Sequence, residues 1–397
     1  MKKDQYNFDL IQSDERFQKN KSIVDYRFKI IYTIAMLSVI ADHLRGRGSF
    51  ELNIQGWFNY GSFHMQLFMF SAGYFFKSNN VSNTFDYIRK KFTRLIIPIY
   101  QYNFFYGFYI QLLKKLGFKN NIRPFNFSIL FIEPLGGCGF KHITPSWFSS
   151  SLFFVEVYNI IKRKIISLIK IELNESIYLI IDFFLSYYCV ILSNRGYNKY
   201  NLYMHILRFI HLNVYYEFGI FFKKYLELVL IKVKTELYFI TIFALKLSFH
   251  LYYSNAPVFY FGKSEYFQYS PYTVISISIL GILFWFKIGE ILEPILGTNF
   301  YINIIANNTF SIMINHSLAI DLIRTFFALI SKNTKYCQNF DFNRYYSMDV
   351  SYIYIPNNVL QSGIIYFLNC LIFPIIISKI NNKIKYLISN LYIFKYR

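Results

Sequence analysis

Charged residues are scarce in this chain. Lys, Arg, Asp and Glu make up 16% of its 397 residues, against about a quarter in an ordinary soluble domain. That shortage argues against a water-solvated globule of this length. Cysteine is scarce as well. Cys138, Cys189, Cys337 and Cys370 are scattered, with no CxxC pair and no neighbouring His pattern, so neither a zinc site nor a disulfide framework is signalled. Acidic residues number 22 against 42 basic ones, a formal net charge of +20. The excess is not gathered on one amphipathic surface, which sets nucleic-acid binding aside. The first 26 residues are polar and mixed in charge, so no cleavable signal peptide is read and the first apolar helix is expected to direct its own insertion. No internal repeat, Gly/Ser linker or separate soluble domain is legible.

What remains is apolar and aromatic: 54% hydrophobic residues, with 46 Phe and 37 Tyr. They come in blocks of about 17–23 residues, the helical length that crosses about 30 Å of hydrocarbon. The expected fold is an all-α polytopic membrane protein, about ten transmembrane helices around a central polar cavity. The ten spans are read at 28–44, 60–77, 94–113, 146–161, 176–193, 203–222, 237–253, 272–288, 308–330 and 359–378. The fourth is short and leaves a re-entrant segment open. Residues 1–27 and 379–397 then form cytoplasmic tails, the second one basic, around a membrane domain at 28–378. With the N-terminus inside, the inner segments hold 26 Lys and Arg and the outer ones 13, so both termini are placed in the cytoplasm. His43 and His64 then lie near the outer ends of the first two spans.

Ionisable groups within hydrocarbon are costly and mark function or interhelical contacts. Candidates are Asp42, His43, His64, Glu156, Asp182, His205, Arg208, His211, Glu217, Lys246, His250, His316, Asp321 and Arg324. His43, His64, His205 and Arg208 fall in the outer half, and His205, Arg208 and His211 share a broad helix face. They suggest a polar cavity lined by the first, second and sixth spans. Taken alone, His205 and His211 read better as core histidines satisfied by backbone carbonyls.

Five stretches carry a resemblance. "SFHMQLFMFSAGYFFK" (62–77) resembles the "FHMPLFFFLSGYLF" stretch of the acyltransferase-3 family of bacterial integral membrane acyltransferases, which follows a first helix ending in His. In the same order, "RKKFTRLIIPIY" (89–100), "PSWFSSSLF" (145–153), "YYEFGIFFKK" (215–224) and "NNTFSIMINHSLAIDLI" (307–323) resemble further family stretches. The likeness spans about residues 28–330 and implies ten spans. It also implies transfer of acyl groups, most often acetyl from acetyl-CoA, to hydroxyls of surface polysaccharides, glycolipids or peptidoglycan, with the first-span His, here His43, catalytic. The sequence departs from the pattern in three places. Many members carry a basic residue eleven positions before that His, where this chain has Tyr32; the family's Pro is Gln66; and its "SG" is "SAG". Lys29 or Arg208 are the candidates to supply the missing charge.

On this resemblance His43 is the general base that takes the proton of the acceptor hydroxyl, because imidazole titrates near working pH. Asp42 or Glu217 are the candidates to orient its ring. His64, Arg208, Ser71 or backbone amides near Gly73 are the candidates to stabilise the oxyanion. Direct transfer and an acyl-histidine intermediate both stay open. Arg89, Lys90, Lys91 and Arg94 are expected to hold the CoA phosphates at the cytoplasmic mouth, although the positive-inside rule alone also accounts for them. Trp147, His205, Glu217 and His316 are expected on the acceptor side, with Glu133, Lys141 and His142 as further loop contacts. Acetyl-CoA is a co-substrate, no tightly bound cofactor or metal is expected, and homo-oligomers remain open. The expected location is the bacterial inner membrane, and the expected partners are the bilayer and a glycan acceptor of capsule or lipopolysaccharide type. Two other readings stand beside this one: a glycan or lipid transporter without acyl chemistry, and an inactive partner in a polysaccharide-export assembly.

Overall fold

Described in a computed structural model are residues 24–44, 57–119, 125–132, 134, 140, 143–197, 201–253, 269–347, 352–356 and 362–395. Among them the chain is 84% helix, with no strand. In order the helices are α1 (Tyr26–Leu44), α2 (His64–Tyr74), α3 (Thr84–Lys91), α4 (Ile97–Lys115), α5 (Trp147–Leu168), α6 (Glu175–Asn194), α7 (Asn201–Phe221), α8 (Glu227–Leu230), α9 (Thr235–Tyr253), α10 (Pro271–Leu296), α11 (Phe300–Asn307), α12 (Thr309–Asn333), α13 (Phe342–Tyr346) and α14 (Gly363–Lys395).

Each of the ten predicted spans falls on a helix, but their bounds and lengths differ. Four of these helices, α6, α10, α12 and α14, are long and apolar enough to cross a membrane. Helix α2 has only 11 residues, a rise of about 16 Å, too short to cross unaided. It begins after a 3₁₀ turn at Tyr60–Ser62, capped by the Asn59 side chain, and stops at Phe75. Helix α5 runs to 22 residues, past the predicted end of the fourth span. Its extra turns carry Lys162 and Arg163, which the sequence reading placed in a loop. Helix α14 continues through most of the predicted basic tail to Lys395, since nothing after Pro374 breaks it.

Side-chain caps fix several starts. Asn174 accepts from Ile177 N at 3.0 Å, and Asn299 from Tyr301 N at 2.9 Å, relieving amide groups that have no intrahelical acceptor. Between α3 and α4, Phe92–Ile96 is π-helical. Pro98 follows directly, and the wider turn accommodates the amide it lacks and the ring clash it brings.

The centre is aromatic. Phe28, Phe70, Tyr74, Phe222 and Phe286 interlock, with ring centroids 4.5 Å apart for Phe28 and Tyr74 and 4.7 Å for Phe222 and Phe286. Helices α2 and α7 cross backbone to backbone. A Cβ on Gly73 would lie 1.8 Å from the Tyr216 carbonyl oxygen, and one on Gly219 2.1 Å from that of Phe70. Small residues permit such an approach between apolar helices.

Buried ions tie the periphery down. Lys119 bonds Asp321 Oδ1 at 3.0 Å and the Tyr345 carbonyl at 3.3 Å, and Arg324 donates to Asp321 at 2.9 Å and to the Tyr352 carbonyl at 3.2 Å. Together they fasten the segment after α12 to the bundle. Burial holds the Lys119 ammonium below its ordinary pKa in spite of Asp321.

Candidate active site

Helix α1 delivers Asp42 and His43 to the end of the bundle where α2 begins. The His43 ring is exposed, and its centroid lies 4.7 Å from that of His316 on α12. His316 is fully buried. Its Nδ1 lies 3.1 Å from the Ile312 carbonyl. A carbonyl only accepts, so Nδ1 carries the proton and Nε2 bears the lone pair. That Nε2 is buried and has no hydrogen-bond partner among the described residues. Leaving a buried acceptor unmet costs about 1–3 kcal/mol, which makes the atom notable. Cys370 of α14 donates to the His316 carbonyl at 3.5 Å, fixing the helix that carries the ring.

The third motif histidine, His64, is buried and bonded through Nδ1 to the Tyr60 carbonyl. The Asp42 charge acts on this ring. Gln66 turns its amide back toward the Gly61 carbonyl at 3.5 Å.

A second group forms between α5 and α7. The Arg208 guanidinium lies 4.4 Å from the centre of the Trp147 ring, and its charge also reaches His205, which bonds the Pro134 carbonyl. Predicted as separate contributors, Trp147, His205 and Arg208 are thus brought together. His211 is satisfied at both nitrogens, by Ser186 at 2.8 Å and Tyr215 at 3.1 Å, which matches its reading as a core residue.

Glu217 lies elsewhere. Its two oxygens meet Lys162 at 3.0 Å and Arg163 at 2.7 Å. Lys162 also binds Asp182 at 2.6 Å, and Arg163 binds Glu175 at 2.7 Å. This buried five-membered ion cluster joins α5, α6 and α7, so Glu217 is neither a partner for His43 nor open to an acceptor. Sequence reasoning missed the cluster. Its only signal was the pair Lys162–Arg163, which one-dimensional reading assigns to a loop.

Of the four basic residues expected at the inner mouth, Arg89 and Lys90 are exposed, Arg89 with only Asp86 beside it at 3.4 Å. Lys91 is committed to the buried Glu156 at 2.5 Å. Arg94, also exposed, directs its charge at Tyr32. Tyr32 stacks on Phe68 at 5.9 Å with Ser71 beside its hydroxyl. Of the expected sources of positive charge near Tyr32, Lys29 instead bonds Asn307, and Arg208 lies on Trp147. Glu133, Lys141 and His142 lie outside the described residues. A surface recess lined by Phe222, Glu227, Tyr238 and Lys287 contains none of the predicted site residues. No group of three or more His, Cys, Asp or Glu among the described residues is arranged to hold a metal ion.

Comparison of the chain with family models, with curated proteins and with solved structures finds no match.

Proposed function

We propose that this protein is a bacterial inner-membrane O-acyltransferase. It moves an acyl group, first of all acetyl, from acyl-CoA to a hydroxyl of a surface polysaccharide or glycolipid. The observation that carries this reading is the contact between His43 and His316. It joins His43, at the end of the first span, to a histidine from the 307–323 stretch that resembles acyltransferase-3 sequences, and it sets a base beside a buried nitrogen that has no donor among the described residues.

A sugar hydroxyl must lose its proton as it attacks a thioester. On this reading its oxygen bonds the acyl carbon while the proton passes to His43. The tetrahedral intermediate then collapses, the C–S bond breaks, and the departing thiolate recovers the proton from the imidazolium. General-base assistance of this kind contributes roughly 10²–10⁴-fold in rate. His316 Nε2 offers its lone pair to the N–H of that imidazolium, a cation that exists only after the hydroxyl has given up its proton. An interaction that strengthens as the ring becomes a cation lowers the barrier more than it tightens substrate binding.

Arg89, Lys90 and Arg94 hold the CoA phosphates, with Arg94 supplying the charge that related sequences place at the Tyr32 position. The Trp147–Arg208 pair offers the acceptor a ring face and a cation, suited to a sugar that carries an acidic group. On this reading acyl-CoA reaches His43 from the cytoplasmic side and the glycan from the outer side.

The test is glycan acetyl-ester content, measured by mass spectrometry, in cells producing wild-type protein or His43→Ala at equal membrane levels. The reading predicts loss of the ester in the variant. Glycan export that proceeds in both cells without any ester would favour a transporter instead.

A further inference from the structure

We infer that the aromatic cluster between α9 and α10 is a binding site for the phosphate of an anionic lipid. Helix α9 buries one stripe, Tyr238, Ile242 and Lys246, spaced four apart so that they share a face. Leu237, Ile240, Leu247 and Leu251 on its other faces are exposed and apolar. Lys246 is 6% exposed, so it does not reach out to an aqueous boundary as lysines at membrane surfaces do. Its Nζ lies 4.6 Å from the centre of the Phe58 ring. Neither a hydrogen bond nor an ion pair is made by Lys246 among the described residues. A ring face is a weak substitute for an anion when an ammonium is buried in an apolar layer.

A second donor lies near the same ring, one face of which is stacked on Phe284 at 4.1 Å. Phe58 is 6.4 Å from Trp285, centroid to centroid, and the indole N–H of Trp285 is buried without an acceptor among the described residues. Two donors beside one ring, without acceptors among the described residues, call for a group with several acceptor oxygens. Phosphate has that chemistry, since its oxygens can meet an ammonium and an indole N–H together. The approach is also defined. Trp57, stacked parallel on His250 at 6.3 Å, is half-buried, and Phe243 is 37% exposed. Both border the apolar outer surface of α9, where acyl or prenyl tails would lie.

Phospholipid headgroups and the phosphate of a lipid-linked glycan share this chemistry. The site stands whichever reaction His43 serves, because it uses none of that histidine's neighbours.

The experiment is native mass spectrometry of the full-length protein in detergent. It is titrated with diacylglycerol, phosphatidylglycerol or polyprenyl phosphate of matched tail mass. The expected result is about a tenfold preference of the wild type for the phosphate-bearing lipids over diacylglycerol. Other basic residues retain anionic lipid too, so the diagnostic quantity is the part lost on substitution. Lys246→Gln should abolish most of the preference, Trp285→Phe should weaken it, and Lys246→Arg should keep it. Tighter retention of polyprenyl phosphate than of phosphatidylglycerol would identify a glycan carrier, and equal retention a phospholipid. Wild-type protein without preference, or Lys246→Gln with the full preference, would overturn the proposal. Should Lys246→Gln fail to fold, the wild-type, Lys246→Arg and Trp285→Phe arms decide it. No acyl donor is present, so failure here and failure of the acyltransferase reading are separate results.

Discussion

Gly73 on α2 and Gly219 on α7 mark the two sides of one helix crossing in which neither position has room for a side chain. An added Cβ would lie 1.8 Å from the Tyr216 carbonyl oxygen at the first and 2.1 Å from that of Phe70 at the second. Both obstacles are backbone, which cannot step aside. Both glycines belong to stretches that resemble acyltransferase-3 motifs, so two of those motifs meet in space. The crossing sets the position of α2, and with it His64.

Substituting either glycine therefore tests packing. Overfilling a close-packed site costs typically about 1–3 kcal/mol, and more where backbone must move. Gly73→Ala and Gly219→Ala should each lower the melting temperature of the detergent-purified protein by several degrees. Gly117→Ala, at a position with no atom within 4 Å, should do less, with only backbone strain from its φ of +76° to oppose it. Equal melting temperatures for all three would show that α2 and α7 do not cross as described.

Glu217 separates a structural role from a substrate-binding one. Removing one partner of a buried ion cluster costs about 3–5 kcal/mol, because the remaining charges stay buried. Glu217→Ala should therefore reduce the amount of folded protein and its unfolding temperature. Activity per folded molecule should remain near wild type. A variant that folds normally and shows a raised KM for the acceptor would return Glu217 to the site.

The basic stretch makes a graded prediction. Arg94→Gln should raise KM for acyl-CoA about tenfold with little change in kcat, the signature of lost ground-state binding. Arg89→Gln should act in the same direction and more weakly. Lys91→Met should instead lower stability, since it leaves the Glu156 carboxylate buried and unpaired. Unaltered KM in Arg94→Gln would leave the positive-inside rule as the whole explanation of this stretch.

The sequence revealed the helices better than their ends. Every one of the ten apolar blocks coincides with a helix, because the length of an apolar run reflects burial directly. The ends failed where the deciding partner is remote. Lys162 and Arg163 look like loop residues until Glu217 arrives from 54 and 55 residues away to neutralise them, and α5 continues as a result. At the site, both His43 and His316 were named from motif order, yet nothing in their spacing indicates that their rings touch.

The lone pair on His316 predicts a kinetic pattern. His316→Leu keeps much of the side chain's bulk but removes the lone pair. The expected result is a loss of about 10²-fold in kcat with KM for acyl-CoA unchanged. A nitrogen-15 spectrum of histidine-labelled wild-type protein should show the His316 proton on Nδ1 at neutral pH. A proton found on Nε2, or a kcat within twofold of wild type in the variant, would remove His316 from the mechanism.

The central claim is that His43 takes the acceptor's proton during acyl transfer. Its most direct test is acetyl transfer from radiolabelled acetyl-CoA to glycan by purified protein in proteoliposomes, comparing wild type with His43→Gln at matched folded protein. The account predicts label on glycan hydroxyls for the wild type, and a loss of about 10²–10⁴-fold for the variant. Transfer at the wild-type rate by His43→Gln would contradict it.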